Sequence, residues 1–179
     1  MKYVALLRAV NLAGKNKVAM SVLRAMLAEL GLDDPRTLLA SGNAVFSSER
    51  RSAVAIETML ERETAARLGL ATDYFVRSAR EWRGLVGANP FPEAADSDPG
   101  RLLVLAAKEA PTAARVRALQ GAIVGRERVR AVGQQVYAVY PDGVGRSKLT
   151  TAVIERHLGT RVTGRNWNTV LKLLALVED

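Results

Sequence analysis

The chain has 179 residues, of which 49% are hydrophobic and none is cysteine, and its formal net charge is +8 at pH 7. The lack of cysteine excludes disulfides, thiol nucleophiles and thiolate metal sites, and no apolar run approaches the roughly 18 residues of a membrane-spanning helix. The basic excess indicates an anionic partner, nucleic acid or a phosphorylated metabolite, although a generally basic surface explains the charge equally well. A strand pattern begins at the amino terminus, so we expect no signal peptide, no membrane partner and a cytoplasmic location.

The first half of the chain predicts the order strand, helix, strand, strand, helix, strand. Short apolar runs mark the strands, and apolar residues three or four apart mark the helices. Gly31 and Gly69 end the two helices, and Ser52 caps the second. The predicted elements are a strand at 3–7, a helix at 20–30, strands at 36–40 and 44–47, a helix at 52–68 and a strand at 72–77.

A short helix and a linker are predicted next. Residues 78–81 have the capping-box spacing that opens a helix. Pro90 and Pro92 end this helix, because a proline disfavours helical backbone in the residue before it. Residues 93–100 are acidic, contain proline and glycine, and lack periodicity. We therefore expect a first subdomain at 1–88, a linker at 89–100 and a second subdomain at 101–179.

The second half repeats this order of elements. Ser147 is predicted to cap a helix that Gly159 closes. The predicted elements are a strand at 101–106, a helix at 112–119, strands at 128–132 and 135–140, a helix at 147–158, an extended piece at 160–163 and a last helix. Two such units in tandem predict an α+β fold, a duplication of the ferredoxin-like (βαββαβ) plait with a C-terminal helix.

Polar side chains gather at one end of the first predicted sheet. Helical crossovers join parallel strands, so the first and second strands end at the same edge. The loop 11–17 and the turn 41–43 then lie together, although 41–43 also has the composition of an ordinary hairpin turn. The candidate ligand-binding residues here are Arg8, Asn11, Lys15, Lys17, Ser41 and Asn43.

The second predicted sheet has a comparable cluster, where residues 141–148 and 164–169 lead into helices. The free N–H groups and positive dipole end of a helix start favour anions. We expect an anion site there, with Asp142 as an alternative, internal counter-charge to its cations. The candidate ligand-binding residues are Arg146, Ser147, Lys148, Arg165, Asn166, Trp167 and Asn168, of which Arg146, Lys148 and Arg165 supply the positive charge.

Trp167 has two interpretations. In the first, the indole ring of Trp167 stacks on a ring of the ligand, while Arg165 and Asn168 form hydrogen bonds with that ligand. Alternatively, Trp167 anchors the last helix while Asn166 or Asn168 caps it. The structural interpretation is slightly favoured, because a helix start needs a cap in either case.

The sequence lacks the acid–base groups of familiar enzymes. The single histidine, His157, lies in the last turn of a predicted helix, where it interacts with the helix terminus. We predict no metal and no cofactor, and we assign no catalytic residue or oligomeric state. A binding module for an anionic ligand, either a small metabolite or nucleic acid, is therefore favoured over the alternative, an enzyme acting on a phosphorylated or anionic small molecule.

Several spaced motifs together resemble a known bacterial family. They are Leu6-Leu7-Arg8-Ala9-Val10-Asn11, Lys15-Asn16-Lys17, Ser41-Gly42-Asn43, Asn89-Pro90-Phe91, Ser147-Lys148 and Arg165-Asn166-Trp167-Asn168-Thr169-Val170. The chain resembles the domain of unknown function 1697 over essentially its whole length. The resemblance implies two plait-like subdomains and supplies no established activity. In that family two glycines often follow Asn-Val, where this chain has Leu12-Ala13-Gly14, so the methyl group of Ala13 limits any close backbone approach of a ligand.

Overall fold

The computed structural model describes residues 1–12, 14, 16–49 and 52–179. The chain forms two compact units, the first from Met1–Arg83 with Leu173–Asp179, and the second from Gly84–Lys172. Each unit contains a four-stranded antiparallel sheet, so the predicted α+β class is confirmed. Among the described residues, no helix combines the length and apolar character needed to cross a membrane.

In the first unit, the sheet has the strand order β2-β3-β1-β4. The elements are β1 (Lys2–Leu7), α1 (Met20–Glu29), β2 (Asp33–Thr37), β3 (Asn43–Ser47), α2 (Ala53–Leu68) and β4 (Tyr74–Ser78), followed by α3 (Ala79–Gly87). Tyr3, Ala5 and Leu7, on one side of β1, pack in one core with apolar residues of α1 and α2 such as Leu27 and Leu60. The alternation of side chains along a strand places this core on one face of the sheet.

In the second unit, the sheet has the strand order β6-β7-β5-β8. The elements are α4 (Pro92–Ser97), β5 (Leu102–Ala107), α5 (Ala113–Gly121), β6 (Arg128–Val132), β7 (Gln135–Val139), α6 (Thr151–Leu158), β8 (Val162–Asn166) and the first half of α7 (Trp167–Glu178). The residues of α7 from Leu173 onwards belong to the first unit. Leu105 and Ala107 of β5 pack in one core with Leu119 of α5 and Ile154 of α6.

Strands β1 and β4 pair in the register that β5 and β8 also have: Val4 of β1 lies opposite Arg77 of β4, and Val104 of β5 lies opposite Arg165 of β8. Strands β4 and β8 each lie at one edge of their sheet. Oε1 of Glu61 accepts from the Tyr74 amide at 3.0 Å, and Oε1 of Glu155 accepts from the Val162 amide at 2.9 Å. A helix carboxylate therefore accepts from an N–H at the start of each of these two edge strands.

Two strands have other boundaries than those predicted. Strand β2 is Asp33–Thr37 rather than 36–40, because residues 38–42 form the turn and the Leu38 amide donates to the Asn43 carbonyl at 3.0 Å. Strand β8 is Val162–Asn166 rather than 160–163, because its residues as far as Asn166 pair with β5. The predictions that Arg165 and Asn166 lie in a loop were wrong.

One prediction about a helix start was also wrong. Thr150, rather than Ser147, caps α6, since Oγ1 of Thr150 accepts from the Val153 amide at 3.3 Å. Residues 93–100, predicted as a linker without periodicity, lie largely in α4 and a 3₁₀ turn, Pro99–Arg101. Pro92 is the first helical residue of α4, a position at which its fixed φ angle and missing N–H suit a helix.

Candidate functional site

Two loops meet at one end of the first sheet. We call the described residues between β1 and α1 (8–12, 14 and 16–19), together with residues 38–42 between β2 and β3, the double-loop platform. Two backbone hydrogen bonds continue the sheet into it: the Leu7 amide donates to Gly42 at 2.8 Å, and the Arg8 amide donates to Asp73 at 3.0 Å. The predicted site residue Lys15 lies outside the described residues. The same is true of Ala13, the position at which the sequence departs from the family pattern.

The side chain of Asn11 joins the two loops. Its Nδ2 donates to the carbonyl oxygens of Val18 at 2.9 Å and Ala40 at 2.6 Å, and its Oδ1 accepts from the Val18 amide at 2.8 Å. One amide group thus satisfies backbone groups on both loops. Asn11 is therefore a structural link within the platform.

Ser41, Gly42 and Asn43 close the second loop. Nδ2 of the fully buried Asn43 donates to the Leu38 carbonyl at 2.7 Å and to Oγ of Ser41 at 2.9 Å. Gly42 has φ +79°, and a β-carbon there would lie 2.6 Å from Cγ2 of Val10. The structure thus brings Asn11, Ser41 and Asn43 to one end of the sheet, with Asn11 reaching Ala40, the neighbour of Ser41.

The platform holds its backbone in an unusual conformation. Ala9, Asn11, Asn16 and Leu39 have φ angles of 52°, 54°, 50° and 60°. Asparagine tolerates this left-handed region, but a leucine there is uncommon and costs energy. Residues in such conformations concentrate at functional sites, where the surrounding structure holds them.

Positive charge lies beside the start of α1. Lys17 is exposed, whereas Arg8 forms an ion pair with Asp73 at 3.6 Å. Ala19, at the cap position of α1, provides no side-chain hydrogen bond, and the first turn of this helix has no acidic residue. With no capping side chain among the described residues, the N–H groups at this helix start can donate to solvent or to an anion.

The second unit closes the corresponding connections with shorter loops. Residues 108–112 connect β5 to α5, and residues 133–134 connect β6 to β7. The helix that follows, α5, is capped by Thr112, whose Oγ1 accepts from the Arg115 amide at 3.3 Å. The second unit therefore connects the same elements without an extended loop at either position. The topology of the sheet does not require loops as long as those of the double-loop platform.

A groove of about 800 Å³ lies at the other end of the first sheet. The helix starts that line it are already satisfied by their own side chains. Ser52 caps α2, and the hydroxyl and amide of Ser78 both donate to Glu81 at the start of α3. Arg80 also lines the groove, but the carboxylate of Glu81 makes this groove less suited to an anion than the platform.

In the second predicted cluster, the side chain of Ser147 has a structural role. Its hydroxyl donates to the Glu127 carboxylate and accepts from the Leu149 amide at 2.9 Å. Arg146 and Lys148 are exposed. Asp142, expected as their counter-charge, forms an ion pair with Arg126, and this pair, with smaller contributions from the charges of Arg101 and Arg146, holds the pKa of this carboxyl below its usual value.

Arg165 does not join Arg146 and Lys148. It is 9% exposed on β8, and its Nη1 donates to Oγ1 of Thr163 at 3.0 Å and to the Gly164 carbonyl at 2.8 Å. Val162 faces the core that contains α6, so by strand alternation Arg165 lies on the opposite face of the sheet. Burial lowers the pKa of the Arg165 guanidinium to about 10. The prediction of a shared anion site at two helix starts was therefore wrong for Arg165.

The residues that follow Arg165 lie at the start of α7. Oδ1 of Asn166 accepts from the Thr169 amide at 3.0 Å, which is the capping interaction predicted for one of the two asparagines. Trp167 is only 6% exposed, so it presents no ring to a ligand at the surface, and Asn168 is exposed.

The sequence interpretation missed Arg77, which occupies in β4 the position of Arg165 in β8. Arg77 is buried, and its Nη1 donates to the Val76 carbonyl at 2.8 Å and lies 3.5 Å from Oε1 of Glu57. Burial lowers the pKa of Arg77, while the Glu57 carboxylate opposes this effect. The available signal was an arginine followed by a residue that commonly caps helices, Arg77-Ser78 and Arg165-Asn166, at the end of a strand and directly before a helix.

A solved structure and a family model relate this chain to other proteins. The chain is similar to the structure of the conserved bacterial protein SP0830 from Streptococcus pneumoniae, with a TM-score of 0.77 and 21% sequence identity over 98% of each chain. This similarity shows the fold alone. No curated protein matches the sequence. The chain belongs to the family described as Protein of unknown function (DUF1697), whose model matches residues 1–137, and the resemblance inferred from the sequence is thereby confirmed.

Proposed function

We propose that the protein is a binding module whose double-loop platform takes an anionic, phosphate-bearing ligand. The observation that carries the proposal is the difference between the units. Both connections at this end of the sheet are extended in the first unit, at residues 8–19 and 38–42, and short in the second, at residues 108–112 and 133–134. The side chain of Asn11 also bonds the two extended loops together. Long loops held in a defined conformation on a rigid sheet commonly carry function.

We also infer that the two sheets, each with its helices, are copies of one ferredoxin-like plait, in subdomains at 1–88 and 101–179 joined by a linker at 89–100. The common element order, the matching strand orders and the placement of Arg77 and Arg165 opposite Val4 and Val104 support this inference. The second unit then serves as an internal control, because it has the same framework without the extended loops.

The charges of the platform support an anionic ligand. From Arg8 to Ala28 the sequence contains basic residues and no Asp or Glu. Lys17 is exposed beside the start of α1, which lacks both a capping side chain and an acidic first turn. A phosphate group there would accept hydrogen bonds from backbone amides and from an ammonium group.

Binding is better supported than catalysis, the alternative function. The carboxylate of Asp73, which is not part of the platform, is paired with the guanidinium of the platform residue Arg8. A small ligand is also better supported than single-stranded nucleic acid, since every Phe, Trp and Tyr of the chain is at most 6% exposed. Proteins that bind single strands stack exposed aromatic side chains on the bases.

We expect Lys17→Gln to weaken the binding of inorganic pyrophosphate about tenfold, because a charge-assisted hydrogen bond contributes roughly 1.5–3 kcal/mol. Titration calorimetry at low salt measures the affinity. The matched control is Lys148→Gln, an exposed lysine of the second unit, which should leave the affinity unchanged. Loss of binding in Lys148→Gln alone would transfer the site to the second unit, and an absence of pyrophosphate binding in the unmodified protein would refute the proposal.

A further inference from the structure

We propose that the outer edge of β6 binds an extended acidic peptide segment, which joins the second sheet as a further antiparallel strand. The second sheet ends at β6 on one side and at β8 on the other. Strand addition of this kind draws its affinity from main-chain hydrogen bonds and its specificity from alternate side chains. The edge of β6 shares no residue with the double-loop platform, so peptide binding there is independent of the proposed function.

The main chain of β6 has hydrogen-bonding groups that face away from the sheet. In an antiparallel pair, alternate residues bond the neighbouring strand, and the residues between them face outward. The carbonyl of Val129 accepts from Nε2 of Gln120 in α5 at 2.7 Å, so Val129 faces away from β7, and Ala131, two residues further along, does so as well. In the part of the chain that the structure describes, no side chain accepts from the N–H of Val129 or Ala131.

The other three edge strands are protected against such pairing. β2 contains Pro35, which has no N–H, and its register with β3 shifts between Asp33 and Arg36. Carboxylates of α2 accept from N–H groups of β4, and Glu155 of α6 accepts from β8. β6 has neither a proline nor a register shift, and the side chain of Gln120 is exposed and can move into solvent. A regular edge strand of this kind is a template for a further strand.

A groove of about 410 Å³ lies along this edge, and both sides of β6 contribute to its wall. Ile123 and Val129 belong to the side that packs on α5, and strand alternation places Arg128 and Arg130 on the other side. An extended segment in the groove directs its own side chains alternately to the two sides. Apolar side chains of the segment then lie near Ile123, and acidic side chains lie near the two arginines.

The charge of this edge favours an acidic partner over a second copy of the chain. Residues 110–141 contain five arginines and a single acidic residue, Glu127, whose carboxylate accepts from the Ser147 hydroxyl. Pairing of two β6 edges would place arginines of one copy beside arginines of the other, and like charges on facing strands are destabilising. Carboxylates on a partner strand would instead meet guanidinium groups, which bind them with two parallel hydrogen bonds.

Phe91 orients the two arginines. Cζ of Arg128 lies 4.9 Å from the centre of the Phe91 ring, and Cζ of Arg130 lies 5.6 Å from it. Arg128 also forms an ion pair with Glu93 at 2.8 Å, whereas no carboxylate of the described residues forms an ion pair with Arg130. A guanidinium that is already held against an aromatic face loses less freedom when a carboxylate binds it. Arg130 is therefore the first contact expected for an acidic side chain.

The experiment uses the full chain and a fluorescein-labelled peptide in which glutamate and valine alternate, and fluorescence anisotropy measures the affinity. In antiparallel pairing the valines lie opposite Val129 and Ala131, so their main-chain groups bond β6, while those of the glutamates face away. N-methylation of the valines should therefore weaken binding at least about tenfold. N-methylation of the glutamates should leave the affinity unchanged, and replacement of the glutamates with lysine should abolish binding.

Variants of the protein test the same contacts from the other side. Arg130→Gln should weaken binding of the unmodified peptide about tenfold. Ala131→Pro should weaken it at least as much, because it removes an outward N–H that the sheet does not use, and edge strands tolerate proline at such positions. The matched control is Arg156→Gln, an exposed arginine of α6, which should leave the affinity unchanged. Circular dichroism checks the fold of each variant, and the N-methylated peptides decide the outcome if Ala131→Pro does not fold.

Four results would overturn the inference. The first is that the peptide does not bind, and the second is that both N-methylated peptides bind equally well. The third is an unchanged affinity in Arg130→Gln. The fourth is tighter binding of a single-stranded oligothymidylate than of the peptide, which would make this basic edge a nucleic-acid surface.

Discussion

Replacing Gly42 with alanine should lower the free energy of unfolding by about 2–5 kcal/mol. A β-carbon at this position would lie 2.6 Å from Cγ2 of Val10 and 2.8 Å from Cβ of Leu7, which is closer than such atoms approach. Relief of this contact requires movement of a buried strand residue, and overpacking of this kind costs roughly 1–3 kcal/mol. The left-handed backbone, with φ +79°, adds roughly 1–2 kcal/mol for any residue other than glycine. Urea unfolding measures the difference.

Gly31→Ala is the matched control for this prediction. Gly31 has φ +75°, close to that of Gly42, but a β-carbon added to it would meet no atom within 4 Å beyond its own chain neighbours. This variant should therefore lose only the backbone contribution of about 1 kcal/mol. Equal losses in Gly42→Ala and Gly31→Ala would mean that Leu7 and Val10 move aside at little cost, and the close packing of the turn against β1 would then not be a source of stability.

Replacing Asn11 with alanine should cost about 2–4 kcal/mol and should also weaken pyrophosphate binding. The substitution removes the three side-chain hydrogen bonds to Val18 and Ala40 and leaves backbone groups of both loops without their partner. Each unsatisfied group costs roughly 1–3 kcal/mol where it is buried, and less where water reaches it. Without this link, residues 8–19 and 38–42 are no longer held together. Urea unfolding and calorimetry on the same preparation measure both effects.

Asn16→Ala provides the comparison for Asn11. Asn16 lies in the same loop with φ 50°, against 54° for Asn11, but among the described residues its side chain donates only to the Ala9 carbonyl, at 3.1 Å. Its replacement should therefore cost about 1 kcal/mol and leave pyrophosphate affinity nearly unchanged. If Asn11→Ala proves no more destabilising than Asn16→Ala, the two loops are held together by other contacts, and the platform does not depend on Asn11.

Local sequence signals were sufficient to predict the end of a helix where a single residue determines that end. Ser52 caps α2, and the left-handed Gly69 ends it, as predicted from the sequence. The same reasoning failed at α6, where Ser147 and Thr150 are both competent caps. The backbone selected Thr150 because the Ser147 hydroxyl bonds the carboxylate of Glu127, a residue distant in the sequence. A choice between two equivalent local signals was thus made by a long-range contact.

The sequence by itself determined the α+β class, the order of strands and helices apart from α4, and the placement of Asn11 beside the loop before β3, because hydrophobic periodicity and the crossover rule depend only on local pattern and connectivity. Only the tertiary structure decided the role of each polar side chain. Arg165 became a buried strand residue and Asn166 a helix cap, while Lys17 stayed exposed. The physical reason is that the alternation of side chains along β8 places Arg165 on one side of the sheet. This alternation reaches Arg165 only because β8 continues to Asn166, and pairing with β5 sets that end point.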